Sequence, residues 1–128
     1  MKRDELSLNS RLLYERLGGA AGIARLMDDI MAAHLRNPVV GPRFRNIADL
    51  DHAKQMACDF FCAGAGGPEK YSGKDMRAAH RGMNINGDEY VAVMDDILCV
   101  LGKHDIDEAT KKDVLAILYS LKDDIVRQ

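Results

Sequence analysis

Apolar residues recur at intervals of three and four along almost the whole chain, and no run of four or more residues alternates between apolar and polar as a strand does. This period puts the apolar side chains on one face of an α-helix, so the sequence predicts an all-α fold. The clearest stripe predicts a long second helix and consists of Ile23, Leu26, Met27, Ile30, Met31 and His34. We interpret His34 in this stripe as a core residue.

Glycine, proline and capping residues divide the pattern into six predicted helices, the first of which carries Leu12, Leu13 and Leu17. The helices run from after Ser10 to Gly18-Gly19, from near Ala20 to Asn37-Pro38, from about Asp51 to Ala65, from about Asp75 to Arg81, from Asn86 to Gly102, and from near Asp107 nearly to the C-terminus. A turn or single-turn helix, ending in a loop around Phe44, is expected between the second and third helices. A glycine-rich loop is expected from Gly64 to Gly73.

The length of 128 residues and the hydrophobic content of 47% suit one domain over residues 1–128. The net charge of −2 comes from mixed signs without a basic stripe, which argues against nucleic acid and membrane surfaces as partners. No apolar run approaches the roughly 20 residues that span a bilayer, and the first ten residues lack the apolar region of a secretion signal. A cytoplasmic location is therefore expected.

The motifs of classical hydrolase and nucleotide chemistry, such as GxSxG, GxxxxGK[ST] and HExxH, do not occur in the sequence. The unusual feature is that Phe44, Phe60 and Phe61 fall in one segment, while His80 lies on the inward face of the short fourth helix. A haem needs an apolar slot and a neutral imidazole directed at its iron. A single histidine on an apolar helix face is more often a hydrogen-bonded core residue, so this pattern alone leaves both interpretations open.

Three segments resemble the truncated haemoglobins, most closely those of group I: LYERLGG at 13–19, FF at 60–61, and GGPEKYSGKDMRAAHRGMNI at 66–85. The last segment fits the family pattern Y-x-G-x-x-M-x-x-x-H-x-x-x-x-I, with matches at Tyr71, Gly73, Met76, His80 and Ile85. The resemblance covers about residues 12–126. It implies a two-over-two helical sandwich around haem b, with His80 as the proximal ligand of the iron.

The same resemblance implies further haem contacts. Phe44 matches the phenylalanine that packs flat against the haem. The other residues expected to line or border the haem are Phe60, Phe61, Tyr71, Met76, Ile85, Tyr90 and Leu98. For Tyr90 and Leu98, ordinary core packing is an equal alternative.

The distal side, opposite His80, departs from the family. Many group I members have a tyrosine and a glutamine that donate hydrogen bonds to bound oxygen, and these positions fall on Met31 and Ala57. Such a bond is worth about 1.5 to 3 kcal/mol, so its loss should speed oxygen release roughly ten- to a hundredfold.

Side chains of this chain are also candidate distal ligands of the iron. Met56 falls where some relatives have a histidine that binds the iron, and Met31 also carries a thioether. One apparent insertion before the third helix makes His52 another candidate. The alternative is that both methionines are apolar filler.

The leading hypothesis is a haem protein that binds dioxygen, nitric oxide or carbon monoxide at a five-coordinate iron and exchanges them fast. Three alternatives stay open: a six-coordinate redox haem protein, a nitric-oxide dioxygenase with a reductase partner, and a haem-free helical interaction module that kept the scaffold. A monomer or weak homo-oligomer is expected.

Overall fold

A computed structural model describes residues 12–128, and this part of the chain forms seven α-helices and no strand. The all-α prediction is confirmed. The helices are α1 Leu13–Arg16, α2 Gly19–Arg36, α3 Gly41–Arg45, α4 Leu50–Gly64, α5 Met76–His80, α6 Gly87–Lys103 and α7 Glu108–Ile125. None of these helices is long and apolar enough to cross a membrane.

Local capping signals explain most of the helix starts. Asn86 Oδ1 accepts from the backbone N–H of Glu89 at 2.8 Å, and Glu89 Oε1 accepts from the backbone N–H of Asn86 at 3.1 Å. This reciprocal capping box starts α6 as predicted. Asp75 and Asp107 cap α5 and α7 in the simpler way, each side chain accepting from a backbone N–H three residues later.

Two predictions in the first third of the chain need correction. The helix predicted to follow Ser10 starts at Leu13, while Leu12 is an extended N-cap residue and 48% exposed. The beginning of this predicted helix, before Leu12, lies outside the described part of the chain. Phe44 lies inside the five-residue helix α3 and not in a loop, because Pro42 in the first turn favours helical backbone.

The helices pack as two crossed pairs. Helix α2 packs against α4, α6 packs against α7, and α2 also contacts α6. The most buried side chains of the core lie between these pairs and come from α2, α6 and α7: Ile23, Leu101 and Val114. This packing is the two-over-two arrangement that the resemblance implies.

The short helix α5 is held by the C-terminal end of the chain. Arg77 pairs with Asp124 of α7 at 3.0 Å. Beyond α7, the backbone N–H of Arg127 donates to the carbonyl of Ile85 at 2.7 Å, next to an isolated β-bridge between Ile85 and Val126. A single helical turn has little stability of its own, so these contacts fix its position.

Candidate functional site

A cavity of about 530 Å³ lies between the two helix pairs and is lined by side chains of α2 to α7. This volume is typical of a ligand pocket. Most of the lining is aliphatic, aromatic or thioether in character. The exceptions are six residues with polar groups: His34, Arg43, Tyr71, His80, Glu89 and Tyr90.

His80 is the last residue of α5, and its Nδ1 lies 2.7 Å from the carbonyl oxygen of Met76, one helical turn earlier. A carbonyl oxygen only accepts, so Nδ1 carries the proton and donates it. Nε2 is then left with its lone pair. A histidine that is fixed through one nitrogen and free at the other is typical of a metal ligand.

The structure brings eleven of the thirteen predicted site residues to this cavity. They are Met31, Phe44, Met56, Ala57, Phe60, Phe61, Tyr71, Met76, His80, Ile85 and Tyr90. Residues that are up to 59 positions apart in the chain therefore share one lining, as the resemblance implies.

His52 and Leu98 are the two predicted site residues that do not line the cavity. His52 is exposed in the first turn of α4, whose N-cap Asp49 accepts from the His52 backbone N–H at 3.1 Å. Leu98 is half-buried and packs against the main core cluster. Its neighbour Ile97 faces the cavity instead, because successive residues of a helix point about 100° apart.

The distal positions carry apolar side chains on the cavity wall. Met31 of α2 is buried, and Met56 and Ala57 of α4 are half-buried. All three line the cavity. These positions therefore offer neither a hydroxyl nor an amide to a ligand in the cavity.

The two tyrosines of the lining direct their hydroxyls at backbone carbonyls. Tyr71 donates to the carbonyl of Lys74 at 2.5 Å, and its ring meets Phe60 edge-on at 5.1 Å between centroids. Tyr90 donates to the carbonyl of Leu118 at 2.5 Å. Burial raises the pKa of Tyr90 to about 12, so its hydroxyl stays protonated.

His34 belongs to the lining although sequence analysis treats it only as a core residue. Its ring stacks on the Phe44 ring with centroids 4.7 Å apart and planes at 24°. Its Nδ1 lies 2.9 Å from Asp96 Oδ2. Burial lowers the pKa of His34, and the nearby Asp96 carboxylate offsets part of that effect. A buried histidine needs a hydrogen-bond partner, so the presence of His34 in an apolar stripe indicates a polar residue nearby in the folded protein.

Arg43 and Glu89 are further lining residues that sequence analysis missed. The Arg43 guanidinium holds Glu89 through two of its nitrogens, with Nη2 3.0 Å from Oε1, and Nη1 donates to the carbonyl of Met83 at 3.0 Å. The hydrogen bond from Arg43 holds the pKa of Glu89 below its usual value. Glu89 thus serves both this pair and the capping box of α6.

Cys58 and Cys62 lie four residues apart in α4 and so share a face of this helix, a spacing that could in principle bind a metal. Burial raises the pKa of both thiols, that of Cys62 to about 11. A protonated, buried thiol is a poor metal ligand, so packing explains these cysteines.

Comparison with known proteins decides the family. The sequence profile of the bacterial-like globins matches residues 12–127. The chain belongs to this family of globins. A group 1 truncated hemoglobin from Synechocystis sp. is 32% identical over 111 residues, covering 82% of this chain and 87% of the relative. A group 1 truncated hemoglobin from Tetrahymena pyriformis is 26% identical over 114 residues, covering 89% of this chain and 93% of that relative.

Solved structures agree with this globin's fold. Truncated hemoglobin from Tetrahymena pyriformis in the Fe(III) form superposes with a TM-score of 0.88 at 25% identity, covering 92% of this chain and 100% of that one. The 2/2 hemoglobin from Synechococcus sp., with covalently attached heme, superposes with a TM-score of 0.83 at 25% identity, covering 91% of this chain and 98% of that one. The chain is a group I truncated globin, and globins bind haem and diatomic gases.

The chemistry of this globin's cavity fits a haem. A flat apolar macrocycle needs an apolar lining, and its iron needs one neutral imidazole. The cavity supplies both, because His80 is held with its Nε2 free and Phe44 contributes an aromatic ring to the wall.

Proposed function

We propose that this globin holds haem b through His80 and binds diatomic gases at a five-coordinate iron beside an apolar distal wall, with fast ligand exchange. When bound, haem supplies an open iron position that takes dioxygen, nitric oxide or carbon monoxide. The observation that carries the proposal is the hydrogen bond from His80 Nδ1 to the Met76 carbonyl, because it leaves Nε2 as the only nitrogen of that ring able to bind iron.

The chain's own residues have separate roles in this proposal. The Met76 carbonyl keeps the His80 ring in one tautomer and orientation, and the caps and tail contacts of α5 limit its movement. The apolar side chains of the wall exclude water from the space next to the iron. Without a hydrogen-bond donor at positions 31 and 57, nothing at these positions holds a polar gas ligand, which supports fast release.

The proposal is tested by replacing the ligand and then supplying it in solution. His80→Gly should purify without haem or lose it rapidly, and added imidazole should restore haem binding because it occupies the place of the missing ring. His52→Gly is the matched control, since His52 is exposed and lies outside the cavity wall. Far-ultraviolet circular dichroism shows whether each variant is folded. Haem retention by His80→Gly with an unchanged absorption spectrum would refute the assignment.

A second candidate is a six-coordinate iron with Met56 as the sixth ligand, acting in electron transfer. The observation that favours it is that the Met56 side chain lines the same cavity as His80. A thioether ligand raises the reduction potential of haem and competes with gases. Met56→Leu keeps the apolar volume and removes the sulfur. This candidate predicts that the variant changes from a six-coordinate to a five-coordinate spectrum, and it fails if wild type and variant have the same spectrum.

A further inference from the structure

Phe44 is flanked by two polar contacts that both lead to α6. Arg43, the residue before it, is paired with Glu89. His34, whose ring stacks on Phe44, is hydrogen-bonded to Asp96. Glu89 and Asp96 are seven residues apart, which is close to two helical turns, so both carboxylates lie on the same face of α6.

The contact at Asp96 joins three elements of the structure. Asn37, which ends α2, donates its Nδ2 to both carboxylate oxygens of Asp96 at 3.1 Å. The side-chain oxygen of Asn37 accepts from the backbone N–H of Val39 at 2.9 Å. Asp96 therefore receives His34 and Asn37 together, and fixes the turn that leads into α3.

These contacts are partly shielded from solvent. The side chains of His34 and Asp96 are 5% and 18% exposed, and those of Arg43 and Glu89 are 32% and 12% exposed. Removing one partner of the His34–Asp96 pair is costly, because the group left behind loses its hydrogen bond and is poorly hydrated. Arg43 also donates to the carbonyl of Met83, in the segment after the His80 helix, so it links α3 both to Glu89 of α6 and to the segment that follows α5.

We infer that Glu89 and Asp96 of α6 are positioning residues that set the place and tilt of the Phe44 ring, and so determine how firmly the cavity retains haem. The inference rests on the proposed function. Neither carboxylate needs to touch the haem, since each acts through Arg43 or His34. A ring that is already in place when haem enters loses less conformational entropy on binding, which favours retention.

The test uses conservative variants with matched controls on the same helix. Glu89→Gln keeps the acceptor of the capping box and weakens the pair with Arg43. Asp96→Asn keeps the size of the side chain, but it removes the charge and replaces one of the two accepting oxygens with an NH₂ group that cannot accept from Asn37. The controls are Asp88→Asn and Asp95→Asn, which remove one charge each from exposed neighbouring positions.

The first readout is the rate of haem transfer from each loaded protein to an excess of a haem acceptor. Each of the two variants should lose haem roughly two- to tenfold faster, the factor expected for one ordinary hydrogen bond. The two controls should stay at the wild-type rate. The inference is wrong if Glu89→Gln and Asp96→Asn lose haem no faster than the controls.

Two further readouts separate positioning from general stability. Proton NMR of the carbon monoxide form should show shifted haem methyl resonances in both variants, because the ring current of Phe44 depends on its position. Ile23→Val, a core substitution outside the cavity wall, should lower the melting temperature without moving these resonances. Unshifted resonances in Glu89→Gln and Asp96→Asn would overturn the inference.

The haem-free protein keeps this test distinct from that of the proposed function. Amide hydrogen exchange over residues 37–47 should be faster in both variants than in wild type and controls, whether or not haem is present. A wild-type protein that takes up no haem refutes the proposed function. A wild-type protein that binds haem, with variants that exchange and lose haem at the wild-type rates, refutes only the inference.

Discussion

Restoring a hydrogen-bond donor at Ala57 should slow the release of dioxygen. Ala57 lines the cavity from α4, and the resemblance to group I truncated haemoglobins implies a glutamine at this position in many of them. Its side chain is a single methyl group on the cavity wall, so a longer side chain at this position extends toward the space where the gas ligand binds. Ala57→Gln therefore adds an amide N–H to an otherwise apolar part of the wall.

The size of the effect follows from the charge of the ligand. Dioxygen bound at haem carries partial negative charge, and a hydrogen bond to a charged group contributes about 1.5 to 3 kcal/mol. Each 1.4 kcal/mol is about a factor of ten, so the dissociation rate of dioxygen should fall roughly ten- to a hundredfold. Carbon monoxide carries less charge, and its dissociation should slow much less.

The assay is stopped-flow displacement of dioxygen from the ferrous protein by carbon monoxide. Ala57→Leu is the matched control because it adds similar bulk without a donor. We expect Ala57→Gln to release dioxygen more slowly than wild type, and Ala57→Leu to release it at a rate close to that of wild type. Equal dioxygen rates in the two variants would refute it, and so would an equal slowing of dioxygen and carbon monoxide in Ala57→Gln.

Three further predictions concern stability, each measured by urea unfolding of the haem-free protein. Tyr90→Phe loses a buried hydrogen bond to a carbonyl of α7, so its free energy of unfolding should be about 0.5 to 1.5 kcal/mol lower than that of wild type. An unchanged free energy of unfolding would contradict this prediction. Gly67→Ala should cost about 1 to 3 kcal/mol, because its Cβ would lie 2.5 Å from the Tyr14 ring, whereas Gly64→Ala meets open space and should cost nothing. Burial lowers the pKa of His34, so as the pH falls below about 6.5 the histidine takes up a proton in the unfolded chain before it does so in the folded protein. The free energy of unfolding should therefore decrease below this pH. The decrease should be smaller in His34→Phe.

The parts of the fold that depend on local signals could be predicted from the sequence. The capping box of Asn86 and Glu89 involves residues three apart, so the start of α6 follows from the sequence alone. The stripe of α2 is buried as predicted, since a period of three and four leaves one face to the core. His80 could be found only through the family pattern, because spacing does not distinguish a ligand from a core histidine.

The contacts between distant elements of the chain could not be predicted from the sequence. His34 and Asp96 are 62 residues apart, and Arg43 and Glu89 are 46 apart. Periodicity predicts that such a residue lies inside, but not which helix supplies its partner.

The two predicted site residues outside the cavity have related explanations. Ile97 and Leu98 are adjacent apolar residues on α6, and the pattern does not decide which of them faces the cavity and which the core. The placement of His52 depends on how the chain enters α4, where Asp49 caps the helix and leaves His52 in an exposed first turn.

The absorption spectrum of the purified protein, reduced with dithionite and then exposed to carbon monoxide, tests the central claim most directly. An iron held by His80 beside an open apolar wall predicts a single broad visible band for the ferrous protein, converted cleanly by carbon monoxide. Sharp, split visible bands before carbon monoxide is added would show an internal sixth ligand and contradict the open site. The lack of a Soret band after addition of haem would contradict haem binding at this cavity altogether.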